Sequence, residues 1–471
     1  MKSFLMKFTS KHLSNFFLIT SLVAFFYLIY RERIFHEGQI FSYYLNYYIA
    51  VLAIIFFSLF SFLLSKNFKA NFILVVFSLI FAFFLIEFFL IYQFSYESKS
   101  IEKYIEENQI NYDRRSKKEV YLKLKETDSS ATVSISPANF VDNKILSGSK
   151  IYPLSGISNS KTIFCNELGY WATYDSDRYG FKNPNEEWDK KENLEFVFIG
   201  DSFTHGACVN TGNDIVGNIR KFLKDSNKNS GVLNFGFRGQ GPLGEYALLR
   251  EYLPEVKTKR VVLIYFENDL GNLASEYRQK FLLNYLNDIN FKQNLILKNE
   301  EKDEFLRSIV QKFLDNQIKY SNSFFNKYII KLIKLENVRK IFLNTQPTVT
   351  EEYKNILKKT KSLVEENNSK MYFVYLPSHK KYQKSFLKRT IWTKLRGPLE
   401  NHSFNSYNEV INLVKSMDIP LIDLHQDLFK SIEDPMSVVP LRGNGHFNEE
   451  GYYLVAKKIF DKIIKLEKND Q

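Results

Sequence analysis

The sequence predicts an α/β domain with a parallel sheet of about five strands, preceded by three transmembrane helices. Three observations carry this. The first hundred residues hold three apolar runs of near membrane-crossing length. Beyond residue 170, short and almost unbroken apolar runs alternate with amphipathic segments. Between the two lies a charged, Lys/Glu-rich stretch that suits neither a bilayer nor a core. With 471 residues, 45% hydrophobic and 25% charged, the chain can form a membrane module and one or two globular domains.

The membrane module is expected over residues 1–95, with spans at 13–30, 47–64 and 72–92. Each approaches the ~20 residues needed to cross the hydrocarbon layer. No small-residue cleavage site follows the first run, so it reads as an uncleaved anchor. Lys2, Lys7, Lys11, Lys66 and Lys69 outnumber Arg31 and Arg33, which favours a cytoplasmic N-terminus. Three crossings would then put everything after about Ser95 outside the cytoplasm, in a multi-pass inner-membrane protein with the lipid bilayer as a partner. Buried core helices are the alternative, but three in succession with one charge among them argue against it. That charge, Glu87, is a functional candidate by default inside a span, although an interfacial or paired role also suits its place near the outer end.

Residues 96–170 read as a stalk and lead-in, and 171–471 as the globular domain. Candidate strands are Phe196–Gly200, Val232–Phe235, Arg260–Phe266, Met371–Leu376 and Pro420–Leu424. Amphipathic segments follow at Asp214–Leu223, Glu245–Leu253, Glu352–Glu365, Tyr407–Met417 and Gly451–Leu466. Near-continuous apolar strands alternating with helices imply a parallel sheet covered on both faces. Residues 270–346 are too long for a connection and read as a helical insertion, a candidate lid. A second insertion, about His379–Asn405, carries Trp392.

Composition excludes some functions. The net charge is +12, but Lys is scattered over polar helix faces, with no zinc spacing, RNP-like segment or compact basic block, so no nucleic-acid partner is expected. The only cysteines are Cys165 and Cys208; no CxxC exists, and spacing leaves a disulfide between them undecided. "GFRGQG" resembles half a dinucleotide loop but lacks the acidic residue such a site needs. No metal or cofactor is expected.

The site candidates fall at strand ends. "FVFIGDSFTHG" ends a buried strand in Gly200-Asp201 and projects Ser202 into the crevice where open α/β sheets bind ligands. Serine is a weak nucleophile that needs a base and donors for the developing oxyanion. "NFGFRGQG" offers the N–H of Gly239, "FEND" the amide of Asn268, and "GHFNEEG" the imidazole of His446. Each block alone is weak, since Gly-Asp-Ser also suits an N-cap and a lone loop His is more often structural. His205 is a rival base, better read as a lining residue.

In the order Ser, Gly, Asn, His, these blocks resemble the SGNH, or GDSL-like, hydrolase family over roughly Asp175–Leu466. The resemblance implies a three-layer α/β/α sandwich of flavodoxin-like type. It implies Ser202 as nucleophile, His446 as base, and the Ser202 and Gly239 N–H groups with the Asn268 amide as oxyanion hole. "YDSDRYGFKNP" resembles the lead-in of membrane-linked, polysaccharide-associated members, with Lys182 where Arg is usual. Phe266 replaces a usual glycine in the third block. More seriously, the Asp expected two or three residues before the histidine is missing; Asn444 and Gly443 stand there. Three readings stay open: Asn444 orients His446 as a weaker partner, another acid such as Asp427, Asp434 or Glu449 substitutes, or the site is dead.

The implied activity is a membrane-anchored, extracytoplasmic serine esterase acting on acyl esters of cell-envelope glycan or lipid-linked saccharide. The alternatives are an O-acyltransferase on the same substrates and a degenerate glycan-binding protein of an envelope-polysaccharide assembly complex. Tyr285, Phe291 and Trp392 are candidates for sugar stacking, against a commoner role as core of the insertions.

Overall fold

The computed structural model describes residues 2–35, 41–140, 151–321, 325–342, 348–378, 382, 405–443 and 445–469. Trp392 and Asn444 lie outside the described residues. The chain divides into two compact units, Met1–Ser100 with Lys319–Thr345, and Ile101–Ile318 with Gln346–Gln471.

In the first unit, α1 (Lys2–Ile29) runs into a π-helical turn, Tyr30–Phe35, followed by α2 (Phe41–Leu63) and α3 (Lys66–Glu107). Ser14–Ile34 and Tyr44–Leu63 are long and apolar enough to cross a membrane. Their large apolar side chains point outward, with Phe26 64% and Phe56 65% exposed. A core helix in water would bury that face. The Tyr48 hydroxyl donates to Glu32 Oε2 at 3.3 Å and ties α2 to the turn after α1.

The expected third span is not shown. Residues 72–92 belong to one 42-residue helix, α3, in which the apolar stretch among the described residues, Ser78–Tyr92, is shorter than a crossing. Inside it, Glu87 is fully buried. Its Oε1 accepts from the Asn337 backbone N–H (3.1 Å) and side-chain amide (2.8 Å), and its Oε2 accepts from the Val338 N–H (2.8 Å). The carboxylate thus caps the first turn of the helix Glu336–Phe342, a piece of the long insertion.

The second unit is built on five parallel strands: β4 (Leu194–Gly200), β5 (Gly231–Asn234), β6 (Thr258–Phe266), β7 (Lys370–Leu376) and β8 (Leu421–Asp423), in the order β5-β4-β6-β7-β8. A smaller sheet of β1 (Thr132–Val133), β2 (Lys161–Ile163) and β3 (Thr173–Asp175) precedes it. All seven residues of β4 are buried, because both faces of the sheet are covered. On one face Val197, Ile199, Leu263, Tyr265 and Phe373 pack with Leu249 and Ile356 from the helices Pro242–Tyr252 and Glu351–Glu366. On the other, Phe196, Phe198, Val262 and Ile264 pack with Ile219 and Ile459 from the helices Ile215–Asp225 and Glu449–Asn469. The result is an α/β/α sandwich, and its strand order reverses beside β4, the crevice where such sheets bind ligands.

The insertion does not behave as a lid alone. Tyr285, Leu306 and Leu314 belong to the core cluster on the first face. Tyr285 is 1% exposed, its hydroxyl donates to Glu251, and Phe291 packs edge-on against it at 4.9 Å. Tyr285 is core, and Phe291 is partly buried against it.

Candidate active site

β4 stops at Gly200, where a Cβ would lie 2.3 Å from Thr204 Oγ1 and 2.7 Å from the Ile264 carbonyl oxygen. Only glycine allows that turn. Asp201 then caps the short helix Ser202–His205, its Oδ1 accepting from the Phe203 N–H at 2.9 Å. Gly206, left-handed at φ 73°, ends the helix. This strand–turn–helix corner lifts the Ser202 hydroxyl clear of the backbone.

His446 Nε2 lies 2.8 Å from Ser202 Oγ, although 244 residues separate them. The other ring nitrogen, Nδ1, faces Glu167, with Oε1 at 3.0 Å and Oε2 at 3.1 Å. Glu167 Oε2 also accepts the His446 backbone N–H at 2.7 Å. A Cβ on Gly445 would sit 2.3 Å from that same oxygen, so glycine there admits the carboxylate. Burial pushes the Glu167 carboxyl upward, but the His446 ring, its charge, its N–H and Arg238 outweigh burial and hold it below the usual carboxylate range. Glu167 is therefore an anion beside Nδ1, and that nitrogen carries the proton.

Sequence reasoning missed Glu167. It follows β2 in the lead-in, far from the histidine block, and no periodicity marks it. The disulfide Cys165–Cys208 was the available signal, because it fastens this loop to the one after the Ser202 helix. The Glu167 loop is also held by the Asn166 amide, which donates to the Asp113 carbonyl at 2.7 Å. Glu167, His446 and the Cys208 sulfur lie within 4.8 Å of one another, but a disulfide sulfur has no thiolate to offer a metal.

The substitute acids weighed from the sequence are engaged elsewhere. Asp434 pairs with Arg442 at 2.6 Å, Asp427 with Lys462, and Glu449 accepts from the Tyr170 hydroxyl at 3.0 Å. His205 is no rival base. It is buried against Phe164, Tyr174 and Phe237, and burial holds its ring well below the usual histidine range. Its Nδ1 accepts the Arg238 N–H at 3.2 Å and so fixes the loop carrying Gly239.

Gly239 (φ 72°) follows β5, and Asn268 follows β6. β5 and β6 are the two neighbours of β4, so both residues flank the Ser202 corner. Asn268 is exposed, and its amide lowers the carboxyl of the buried Asp201 against the upward push of burial. Behind the Gly239 loop, Glu276 accepts from the N–H groups of Gly241 (2.7 Å), Leu243 (3.0 Å) and Gly244 (3.1 Å). Burial nevertheless raises its carboxyl to about 7. Lys182 is structural: its buried ammonium donates to the carbonyls of Gly206 (2.9 Å) and Val209 (2.8 Å) and pairs with Asp214 at 3.2 Å.

No protein-family model matches the chain, and no curated protein matches it. Among solved structures it is similar to a putative lipolytic protein of the G-D-S-L family from Desulfitobacterium hafniense DCB-2. That match has 16% identity and a TM-score of 0.31, and covers 57% of this chain and 99% of that one. It is also similar to TesA (12%, 57% and 98% covered, TM-score 0.33) and to the acetyl xylan esterase AlAXEase (15%, 57% and 98%, TM-score 0.28). At such scores the likeness decides nothing about chemistry.

Proposed function

We propose that this chain is a serine esterase of the SGNH type, membrane-anchored, with Ser202, His446 and Glu167 as its catalytic residues. One observation carries the reading: a single hydrogen-bonded line from the Ser202 hydroxyl through the His446 ring to an ionised Glu167. A nucleophile, a base and an acid that orients the base are the parts acyl transfer requires.

In the reaction, Ser202 Oγ attacks the ester carbonyl while His446 Nε2 takes its proton. Glu167 fixes the Nδ1–H tautomer and stabilises the imidazolium that forms. The Ser202 and Gly239 N–H groups and the Asn268 amide receive the oxyanion. The tetrahedral intermediate collapses, His446 returns the proton to the departing alcohol, and an acyl-Ser202 remains. Water, deprotonated by His446, then attacks the acyl carbonyl, and His446 returns that proton to Ser202 Oγ as the acid departs.

The substrate class follows from the setting. Two apolar helices suited to a bilayer accompany the domain, and the Cys165–Cys208 disulfide suits an oxidising compartment outside the cytoplasm. Acyl esters on cell-envelope glycan or lipid-linked saccharide are the substrates at hand there. The degenerate-binder alternative rested on the missing aspartate, and Glu167 is the observation against it. An O-acyltransferase would use the same residues and differ only in the acceptor.

The test is hydrolysis of p-nitrophenyl acetate by the full chain in detergent micelles. The reading expects turnover that Ser202→Ala abolishes. Faster transfer of acetyl to an added oligosaccharide than to water would convert it to the transferase reading. No turnover by folded wild type would sink both.

A further inference from the structure

Near the catalytic line lie two cations that make no ion pair among the described residues, Arg238 feeling the Glu167 carboxylate only beyond ion-pair distance. Arg238 directly precedes Gly239. Its Nη1 is buried without a hydrogen-bond partner, and its guanidinium stands over the Phe164 ring at 5.4 Å. Lys117 opens α4 (Lys117–Thr127), with its ammonium 5.8 Å from the Trp171 ring centroid. Trp171 is held by its Nε1–H, which donates to the Arg115 carbonyl at 3.1 Å. Lys117, Trp171 and Arg238 are all half-buried, neither sealed in nor freely solvated.

The nearby carboxylates are committed. Asp113 pairs with Arg115 at 2.6 Å, Glu119 closes the capping box with Ser116, and Glu167 serves His446. Lys117 also faces the wrong end of its helix, since the N-terminal turn carries positive potential. Burial and the charge of Arg238 press its ammonium down to about 7. Burial also lowers Arg238, against the pull of Tyr174 and Glu167. Two like charges, partly desolvated and without an ion pair among the described residues, are a cost to the folded chain. An anion between them would relieve it, aided by the N-terminal turn of α4.

We propose that Lys117, Arg238 and the first turn of α4 form an oxyanion-binding subsite beside the Ser202 line, with Trp171 as its wall. The ligand is a carboxylate or phosphate borne by the saccharide whose ester Ser202 attacks. The proposal rests on the esterase reading for that last link, but the subsite itself does not.

The experiment is calorimetric binding to the full-chain Ser202→Ala variant in detergent micelles, where no turnover intervenes. Three probes are used: O-acetylated oligogalacturonate, O-acetylated xylo-oligosaccharide as the neutral control, and inorganic pyrophosphate for the headgroup of a lipid-linked sugar. The acidic glycan or pyrophosphate should bind about tenfold more tightly than the neutral glycan, as expected of charge-assisted hydrogen bonds. Lys117→Gln and Arg238→Gln should each erase that preference. Which of the two anions wins assigns the source. Equal binding of all three probes, or a preference that survives both variants, overturns the subsite. Lys117→Gln keeps the test decisive should Arg238→Gln disturb the Gly239 loop. Tight anion binding by a protein inert toward p-nitrophenyl acetate would instead leave the subsite standing and remove the esterase reading.

Discussion

Replacing Glu167 by Gln should cost more than removing its side chain altogether. The reason lies in how the carboxylate divides its work. Oε2 accepts the His446 backbone N–H at 2.7 Å, while Oε1 stands 3.0 Å from Nδ1. Glutamine has one carbonyl oxygen, and the backbone N–H claims it. The amide nitrogen then occupies the Oε1 place and donates to Nδ1. The ring must shift its proton to Nε2, the atom that has to take the proton of Ser202. Loss of charge alone, from a charge-assisted to a neutral hydrogen bond, is worth about 1–2 kcal/mol, or roughly 5- to 30-fold. The tautomer trap adds to this, and the total should approach the ~10⁴ seen for the equivalent change in a serine protease. Glu167→Ala leaves Nδ1–H to water and should lose less than Glu167→Gln, because no amide then donates to Nδ1. The assay is kcat for p-nitrophenyl acetate in both variants, with thermal melts to establish folding. Glu167→Gln within about threefold of wild type, or clearly faster than Glu167→Ala, would refute the reasoning.

Asn444→Asp should leave kcat within about threefold of wild type, because Nδ1 already has a carboxylate; a large gain would mean Glu167 does not serve the ring. Reducing the Cys165–Cys208 bridge, or Cys165→Ser with Cys208→Ser, should lower both kcat and stability. The bridge closes a sequence separation of 43, worth about 4 kcal/mol in the chain-entropy view, read from denaturant midpoints. Glu276 gives a pH dependence. Its folded carboxyl titrates at about 7 against an ordinary value of 4.5, so the folded state binds the extra proton. The stability it contributes is fully present below about 4.5 and is lost as pH rises through about 7, by roughly 3 kcal/mol. Wild type minus Glu276→Gln, compared at both ends of that window by denaturant unfolding, should show this loss; parallel curves would contradict it.

Much of the sheet was legible because parallel strands covered on both faces leave near-continuous apolar runs. "FVFIG", "VVLIYF" and "MYFVYL" are β4, β6 and β7 with few breaks. Ser202 and His446 were legible because strand ends and the last helix bracket them. Glu167 was not, since a contact across 279 residues between two loops leaves no periodic trace. Only the cysteine pair hinted at it, and one pair among several pairings of loops is a thin clue. The third apolar run lies wholly within α3, which runs on to Glu107; among the described residues its apolar stretch is Ser78–Tyr92, so two candidate spans rather than three are shown. The insertion was read as one element, whereas residues up to Ile318 group with the sandwich and Lys319–Thr345 with the N-terminal unit. Glu87 explains part of that split, since its partners Asn337 and Val338 could not be found from either segment alone.

The account turns on Ser202, His446 and Glu167 acting as one unit, and covalent labelling reads that unit most directly. Full-chain protein is treated with a fluorophosphonate and digested, and the modified peptide is located by mass spectrometry while the labelling rate is followed. The account predicts modification at Ser202, at a rate that falls by at least ~10³ in Glu167→Gln and to nothing in His446→Ala. Folded wild type left unlabelled at Ser202, or labelled equally fast without the Glu167 charge, would contradict it.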